Sequence, residues 1–181
     1  MRGAEAIVER GMLLGHPVVI KRREAKRYRA GELDKRLRAE RTRGEARLLH
    51  KAKLAGVRCP VVLEVREFEI TMGFVEGARP EMDDRQCGEA GKLLAALHAA
   101  DIIHGDYTPA NLIEGKEGIS VIDFGLGFIS NDVEDKAVDV FTMMRAIERK
   151  EAFIAGYRSY AKAPAVLARV KDVEKRVRYA F

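Results

Sequence analysis

The chain has 181 residues, 47% apolar and 34% charged, with a net charge of +5; that balance suits a domain with a real core and excludes a disordered or low-complexity segment. No apolar run is long enough to cross a bilayer and MRGAEAIVERG lacks a signal-peptide core, so a cytoplasmic protein is expected. Two cysteines, Cys59 and Cys87, exclude a disulfide framework and a thiolate metal cluster, and read as small buried hydrophobes.

AIVERG and HPVVIKR alternate apolar and polar residues around Gly15-His16-Pro17 and predict an antiparallel hairpin. ELDKRLRAERTRGEARLLHKAKLAG then has helical spacing at Leu33, Leu37, Gly44, Leu48, Ala52 and Ala55, with Gly56 as its stop. Gly44 is expected to let the sheet approach closely. CPVVLEV and FEITMGFVEG read as further strands turning near Arg66-Glu67, and the first lobe is expected to hold five strands and one helix. A boundary near GARPEMDD divides residues 1–75 from residues 76–181.

Beyond it, Ala90, Leu93, Leu94 and Leu97 form the stripe of an amphipathic helix. Gly105 and Pro109 prevent HGDYTPAN from continuing it. LIEG and ISVIDFG read as short strands around Lys116-Glu117-Gly118, and the pattern is helical from Glu134 to Phe181. Charge is uneven along the chain: from Lys21 to Lys53 there are fourteen Lys or Arg against five Asp or Glu, and Lys171, Lys175, Arg176 and Arg178 follow near the C-terminus. Solvated helix faces explain such runs as well as a nucleic-acid footprint or an acidic partner does.

The chemistry-bearing residues lie on otherwise apolar segments. Lys21 ends the strand VVIK, where its ammonium can reach a phosphate. Glu45 lies beside the apolar stripe of the long helix and wants a cation; Glu40, one turn earlier, is its rival. Asp106, on the loop after His104-Gly105, is placed to accept a hydroxyl proton or orient a nucleophile. Asn111 and Asp123 sit at one end of the second hairpin, and an amide oxygen with a carboxylate suits Mg²⁺ that keeps its phosphate ligands. Phe124 and Gly125 supply a packing anchor and a turn.

In order, Lys21, Glu45, H-G-D-Y-T-P-A-N and D-F-G resemble the strand lysine, helix glutamate, catalytic loop and metal-binding motif of protein kinases. The departures are informative. RGAEA keeps one loop glycine, Gly3; Gly105 replaces the usual arginine, and Thr108 stands where many kinases carry a lysine. Fifteen residues separate Asp123 from Asp139, too few for a full activation segment. With KRYRAGELDKRLRAERTRGEARLL, MGFVEG and EDKAVDVF, the chain closely resembles the small kinase-like ATPase subunit of the KEOPS tRNA-modification complex, although Tyr107, Pro109 and Ala110 depart from the commoner family residues.

That resemblance implies an α+β, minimal bilobal protein-kinase-like fold, with an antiparallel N-lobe sheet plus one long helix and a reduced, mainly helical C-lobe. It implies ATP and Mg²⁺ as cofactors, and kinase or ATPase activity toward Ser or Thr in support of threonylcarbamoyladenosine modification of tRNA. The implied partners are the threonylcarbamoyl transferase subunit and a small accessory subunit, with tRNA reached through the complex. Lys21 would contact the α- and β-phosphates, fixed by Glu45; Asn111 and Asp123 would hold the metal; Asp106 would be catalytic. Met72, Gly73, Phe74 and Val75 would join the lobes and meet adenine, while Ile7, Val19, Ile113 and Ile122 either sandwich the ring or belong to the core. His98 and His104 read as packed residues, and Asp139 as a cap on the catalytic loop. A small-molecule phosphotransferase of the aminoglycoside- or choline-kinase type shares H-G-D-x-x-x-x-N, but needs more helical chain than the roughly 55 residues after Gly125. A vestigial scaffold would not need Lys21, Asp106, Asn111 and Asp123 together.

Overall fold

The computed structural model describes residues 6–26 and 30–179, with side chains through Arg176. Gly3 and the rest of RGAEA before Ala6, Arg27 to Arg29, the side chain of Arg178 and the terminal Phe181 lie outside the described residues.

β1 (Ala6–Leu13) and β2 (His16–Arg23) pair antiparallel from Ala6↔Arg23 to Leu13↔His16. Their turn is Leu14-Gly15, one residue earlier than the predicted Gly15-His16-Pro17. Both residues have positive φ, 50° and 79°, as the type I′ turn that matches strand twist requires. β3 (Val62–Val65) and β4 (Glu69–Gly73) complete a sheet of order β1-β2-β4-β3. Four strands, not five, make this sheet among the described residues.

α1 (Gly31–Leu54) crosses the sheet, and its buried face follows the predicted stripe at Leu48 and Ala52 but departs from it in the first half. Leu33 is exposed and no atom of another segment lies within 4 Å of where a Gly44 side chain would start. The buried positions are Asp34, Ala39, Thr42, Glu45, Ala46, Leu48, Leu49 and Ala52. Polar residues occupy the inward side in the first half because each has a partner. Asp34 accepts from Arg38 Nε at 2.6 Å, and Thr42 Oγ1 donates to Arg38 O at 2.8 Å.

The second layer begins with α2 (Asp84–Ala99), opened by a reciprocal Asp83/Gln86 capping box. Ala90, Leu93, Leu94 and Leu97 are all buried on it, as the periodicity predicts. α2 is followed by β5 (Ile102–Ile103), a short 3₁₀ turn at Pro109–Asn111, and the hairpin β6 (Leu112–Gly115) with β7 (Gly118–Val121). Gly115↔Gly118 is a strand pair, so the turn is Lys116-Glu117 alone. β8 (Phe128–Ile129) returns to pair with β5.

The C-terminal stretch is three helices: α3 (Val133–Ala146), α4 (Lys150–Tyr157) and α5 (Ala163–Tyr179). Ile147 adopts an extended conformation and ends α3. Gly91 and Gly156 allow α2 and α4 to cross closely: a Cβ on Gly91 would overlap Phe153 O, and one on Gly156 would overlap Gly88 O. Tyr107, Phe124, Phe153, Tyr157, Leu94 and Leu97 fill the core below the hairpin. The two layers are joined by Val121 N–H to Arg58 O at 2.8 Å and Arg58 Nε to Ile119 O at 2.9 Å, and just past residue 75 Ala78 exchanges reciprocal backbone bonds with Glu114. Among the described residues, no helix is long and apolar enough to span a membrane.

Candidate active site

β2 delivers two cations to one face. Side chains alternate along a strand, so Val19, Lys21 and Arg23 point together toward α1 and the cleft. Lys21 Nζ lies 2.6 Å from Glu45 Oε1 and 2.7 Å from Asp123 Oδ1. Arg23 Nη2 lies 2.7 Å from Glu45 Oε2. Glu45 is thus fully buried with a different cation on each oxygen, and the four groups balance in charge. Burying such a carboxylate without partners would cost several kcal/mol or more. Glu40 is exposed and paired with Arg36 at 3.1 Å; it takes no part.

The segment that carries Asp106 is held from below. Asp139 on α3 accepts the N–H groups of His104 at 2.6 Å and Gly105 at 2.9 Å. His104 Nε2–H donates to Ile122 O at 3.0 Å, so Nδ1 is the acceptor for Asp106 N–H at 3.3 Å. Burial lowers the pKa of His104, which therefore stays neutral and structural. Gly105 has φ 80°, and a Cβ there would overlap the Leu126 carbonyl, which explains physically why no arginine precedes Asp106.

Asp106 is exposed. Asn111 Nδ2 donates to Asp106 O at 2.8 Å and Asp106 Oδ2 at 2.9 Å, which turns the amide oxygen of Asn111 away from that loop. Ile122 N–H donates to Asn111 O at 2.9 Å, extending the β6–β7 ladder and setting Asn111 beside the strand end that carries Asp123. Asp123 has φ 61°, a left-handed conformation uncommon outside glycine. Its carboxylate is half-exposed and also accepts Gly125 N–H at 3.1 Å. Burial pushes the Asp123 carboxyl up, but the Lys21 charge and hydrogen bond, with Gly125, hold it below its ordinary value.

Lys21, Glu45 and Asp123 close one end of a largely apolar cleft lined by Val8, Val19, Pro60, Met72 to Val75, Ile113 and Ile122. Val8 lines it where Ile7 was expected, because the alternation of β1 places neighbours on opposite faces. Gly73 and Phe74 N–H already donate to Val61 O and Pro17 O. Arg23 escaped the sequence reading, although its spacing of two from Lys21 on a strand was the available signal.

An antiparallel sheet with one long helix, set over a mainly helical layer that carries the His104–Asn111 loop and a short hairpin, defines a protein-kinase-like fold. The Rio2 kinase of Chaetomium thermophilum, solved as an ADP/Mg²⁺-phosphoaspartate complex, superposes with a TM-score of 0.70 at 18% identity, over 99% of this chain and 69% of that one. WaaP in complex with acyl carrier protein superposes at 0.63 and 12% identity, over 97% and 86%.

The chain belongs to the RIO domain family, whose model matches residues 18–145. It is 41% identical over 172 residues to the probable serine/threonine-protein kinase BUD32 homolog of Archaeoglobus fulgidus, covering 90% of this chain and 88% of the relative. It is 37% identical over 195 residues to the probable bifunctional tRNA threonylcarbamoyladenosine biosynthesis protein of Methanosarcina acetivorans, covering 98% of this chain. The match spans 35% of that longer relative.

Proposed function

We propose that the chain is a Mg²⁺-dependent, ATP-hydrolysing Ser/Thr kinase domain acting in threonylcarbamoyladenosine modification of tRNA, with its lobes dividing after residue 75. The observation that carries this reading is the meeting of Lys21 with both Glu45 and Asp123 at the end of an apolar cleft. The names of the relatives in Archaeoglobus fulgidus and Methanosarcina acetivorans support the pathway.

The apolar walls, Val8, Val19, Ile113 and Ile122, take the adenine ring, and Met72, Gly73, Phe74 and Val75 border it. Since the amides of Gly73 and Phe74 are spent within the protein, Val75 is our choice for the backbone donor to adenine. Lys21 contacts the α- and β-phosphates, and Glu45 keeps it aimed there. Asp123 and Asn111 hold Mg²⁺: two oxygens from one end of a hairpin, one anionic and one neutral, fit a cation that retains phosphate and water ligands. Bound Mg²⁺ neutralises charge on the transferring phosphate. Asp106, exposed and tethered by Asn111, accepts a hydrogen bond from the attacking hydroxyl or water and orients it.

The partners follow from the same reading: a threonylcarbamoyl transferase subunit and a small accessory subunit in a KEOPS-type complex in the cytoplasm, with tRNA engaged through the assembly. Calorimetric titration with a non-hydrolysable ATP analogue tests the nucleotide site. Binding is expected to need Mg²⁺ and to weaken by about tenfold or more in Lys21→Ala. Saturable binding that ignores both Mg²⁺ and Lys21 would contradict it.

A further inference from the structure

Glu45 is held by two cations, and only one of them is the lysine assigned to phosphate. Lys21 contacts one oxygen and Arg23 the other, at 2.6 and 2.7 Å, all three groups being buried. Arg23 also approaches the metal-side turn, since a Cβ on Gly125 would lie 3.3 Å from both Arg23 Nη2 and Lys21 Nζ. Its backbone is clamped as well: Arg23 N–H donates to Phe68 O at 2.8 Å, and Arg23 O accepts from Arg38 Nη1 at 3.4 Å. The guanidinium therefore comes from a fixed point between β2, β4 and α1.

This arrangement has a consequence when nucleotide enters. Lys21 is shared between Glu45 and Asp123, so turning Asp123 toward a metal and Lys21 toward phosphate weakens two ion pairs at once. A buried Glu45 left with a half-disengaged lysine would be exposed to the full cost of an under-compensated charge. Arg23 offsets that cost, because its pair with Glu45 Oε2 does not involve Lys21, Asp123 or the cleft. It also fixes the carboxylate plane, so Oε1 stays aimed at Lys21 Nζ.

We infer that Arg23 is a positioning residue that locks Glu45 and α1 in the nucleotide-ready arrangement independently of Lys21. The inference rests on the kinase reading above. It predicts a site whose helix glutamate is permanently engaged rather than switched by a Lys–Glu pair alone.

A double-mutant cycle tests it, with Mg²⁺-dependent ATP turnover read as separate kcat and KM. Arg23→Gln should lower kcat/KM by about tenfold or more. Arg23→Lys should recover to within about threefold of wild type, since one ammonium can replace Nη2 at the same oxygen. In a Glu45→Gln background the same Arg23→Gln change should cost less than about threefold further, because its target has gone. Equal losses in both backgrounds, or Arg23→Gln indistinguishable from wild type, overturn the inference. If Arg23→Gln does not fold, Arg23→Lys and the double variant decide it; the double variant removes the buried cation and anion together, and a large extra loss over Glu45→Gln counts against the inference. Lys21→Ala is the control. If it turns over ATP like wild type, the kinase reading falls and this inference with it; if it is inactive and the cycle is additive, only the role of Arg23 falls.

Discussion

Asp139 Oδ2 accepts the backbone N–H of His104 at 2.6 Å, tying α3 to the loop that carries Asp106. The other carboxylate oxygen takes Gly105 N–H, and His98 Nε2 approaches Oδ2 at 3.4 Å. His98 is neutral, because burial lowers its pKa against the opposing effect of Asp139. With Nε2–H facing a carboxylate, Nδ1 must accept from Tyr157 OH at 2.6 Å. A chain of buried hydrogen bonds thus runs from α4 through α2 and α3 to the loop that carries Asp106.

Asp139→Ala strands the buried N–H of His104 and the partly buried N–H of Gly105, and an unsatisfied buried group costs about 1–3 kcal/mol. Urea unfolding should show a loss of roughly 2–5 kcal/mol, with turnover falling in the same variant. Wild-type stability would contradict the cap. Tyr157→Phe should cost less, about 1–2 kcal/mol, because one acceptor is stranded rather than two donors.

Glu45→Gln and Glu40→Gln separate a buried carboxylate from an exposed one. Breaking the two-cation contact of Glu45 should destabilise by about 3–5 kcal/mol. Glu40 forms only an exposed pair with Arg36, worth about 0.3–0.5 kcal/mol. Equal denaturation midpoints for the two variants would mean that α1 is rotated from the orientation described.

The helix crossing gives a test of packing alone. Gly91→Ala would drive a methyl into the Phe153 carbonyl, whereas a Cβ on Gly88 meets Ala152 O at an ordinary 3.7 Å. Gly91→Ala should cost several kcal/mol, on the order of 2–4, and Gly88→Ala little. A reversed order in thermal unfolding would contradict the crossing.

Most of the local structure was legible because it is periodic. The β1–β2 hairpin, the stripe of α2 and the β6–β7 hairpin follow from alternation or helical spacing. The first half of the α1 stripe was misread because its inward face carries Asp34 and Thr42, which hydrophobic periodicity cannot register; both are satisfied by Arg38 one turn away, whereas Glu45 needs Lys21 and Arg23 from β2. β5 and β8 pair through two residues each, too short for any pattern. The break after Ala146 lacks Gly or Pro, so α3 and α4 read as one stretch; the break before α5, between Gly156 and Pro164, did carry a signal. At the site, the motif residues were legible by type and spacing, and the chain brings Lys21, Glu45 and Asp123 into contact. Arg23 was hidden in a basic run that looked like surface.

Stability should depend on pH in two windows. His98 and His104 have folded pKa values lowered from the ordinary 6.5, so the unfolded chain binds protons first. Their contribution is intact above pH 6.5 and is lost as pH falls below it. Asp123, lowered from 3.8, contributes stability that is present above that value and lost as pH falls through its folded pKa. Urea midpoints measured from pH 8 downward should decline below 6.5, and Asp123→Asn should remove only part of the later, acid loss. A variant curve parallel to wild type below pH 4 would contradict the Lys21–Asp123 pair.

The central claim, that this cleft turns over Mg²⁺-ATP, is tested most directly by steady-state ATP hydrolysis of the wild-type chain and Asp123→Ala side by side, with and without Mg²⁺. Turnover that requires Mg²⁺ and falls by about a hundredfold or more in Asp123→Ala is the predicted result. Undiminished Mg²⁺-dependent turnover in that variant would contradict it.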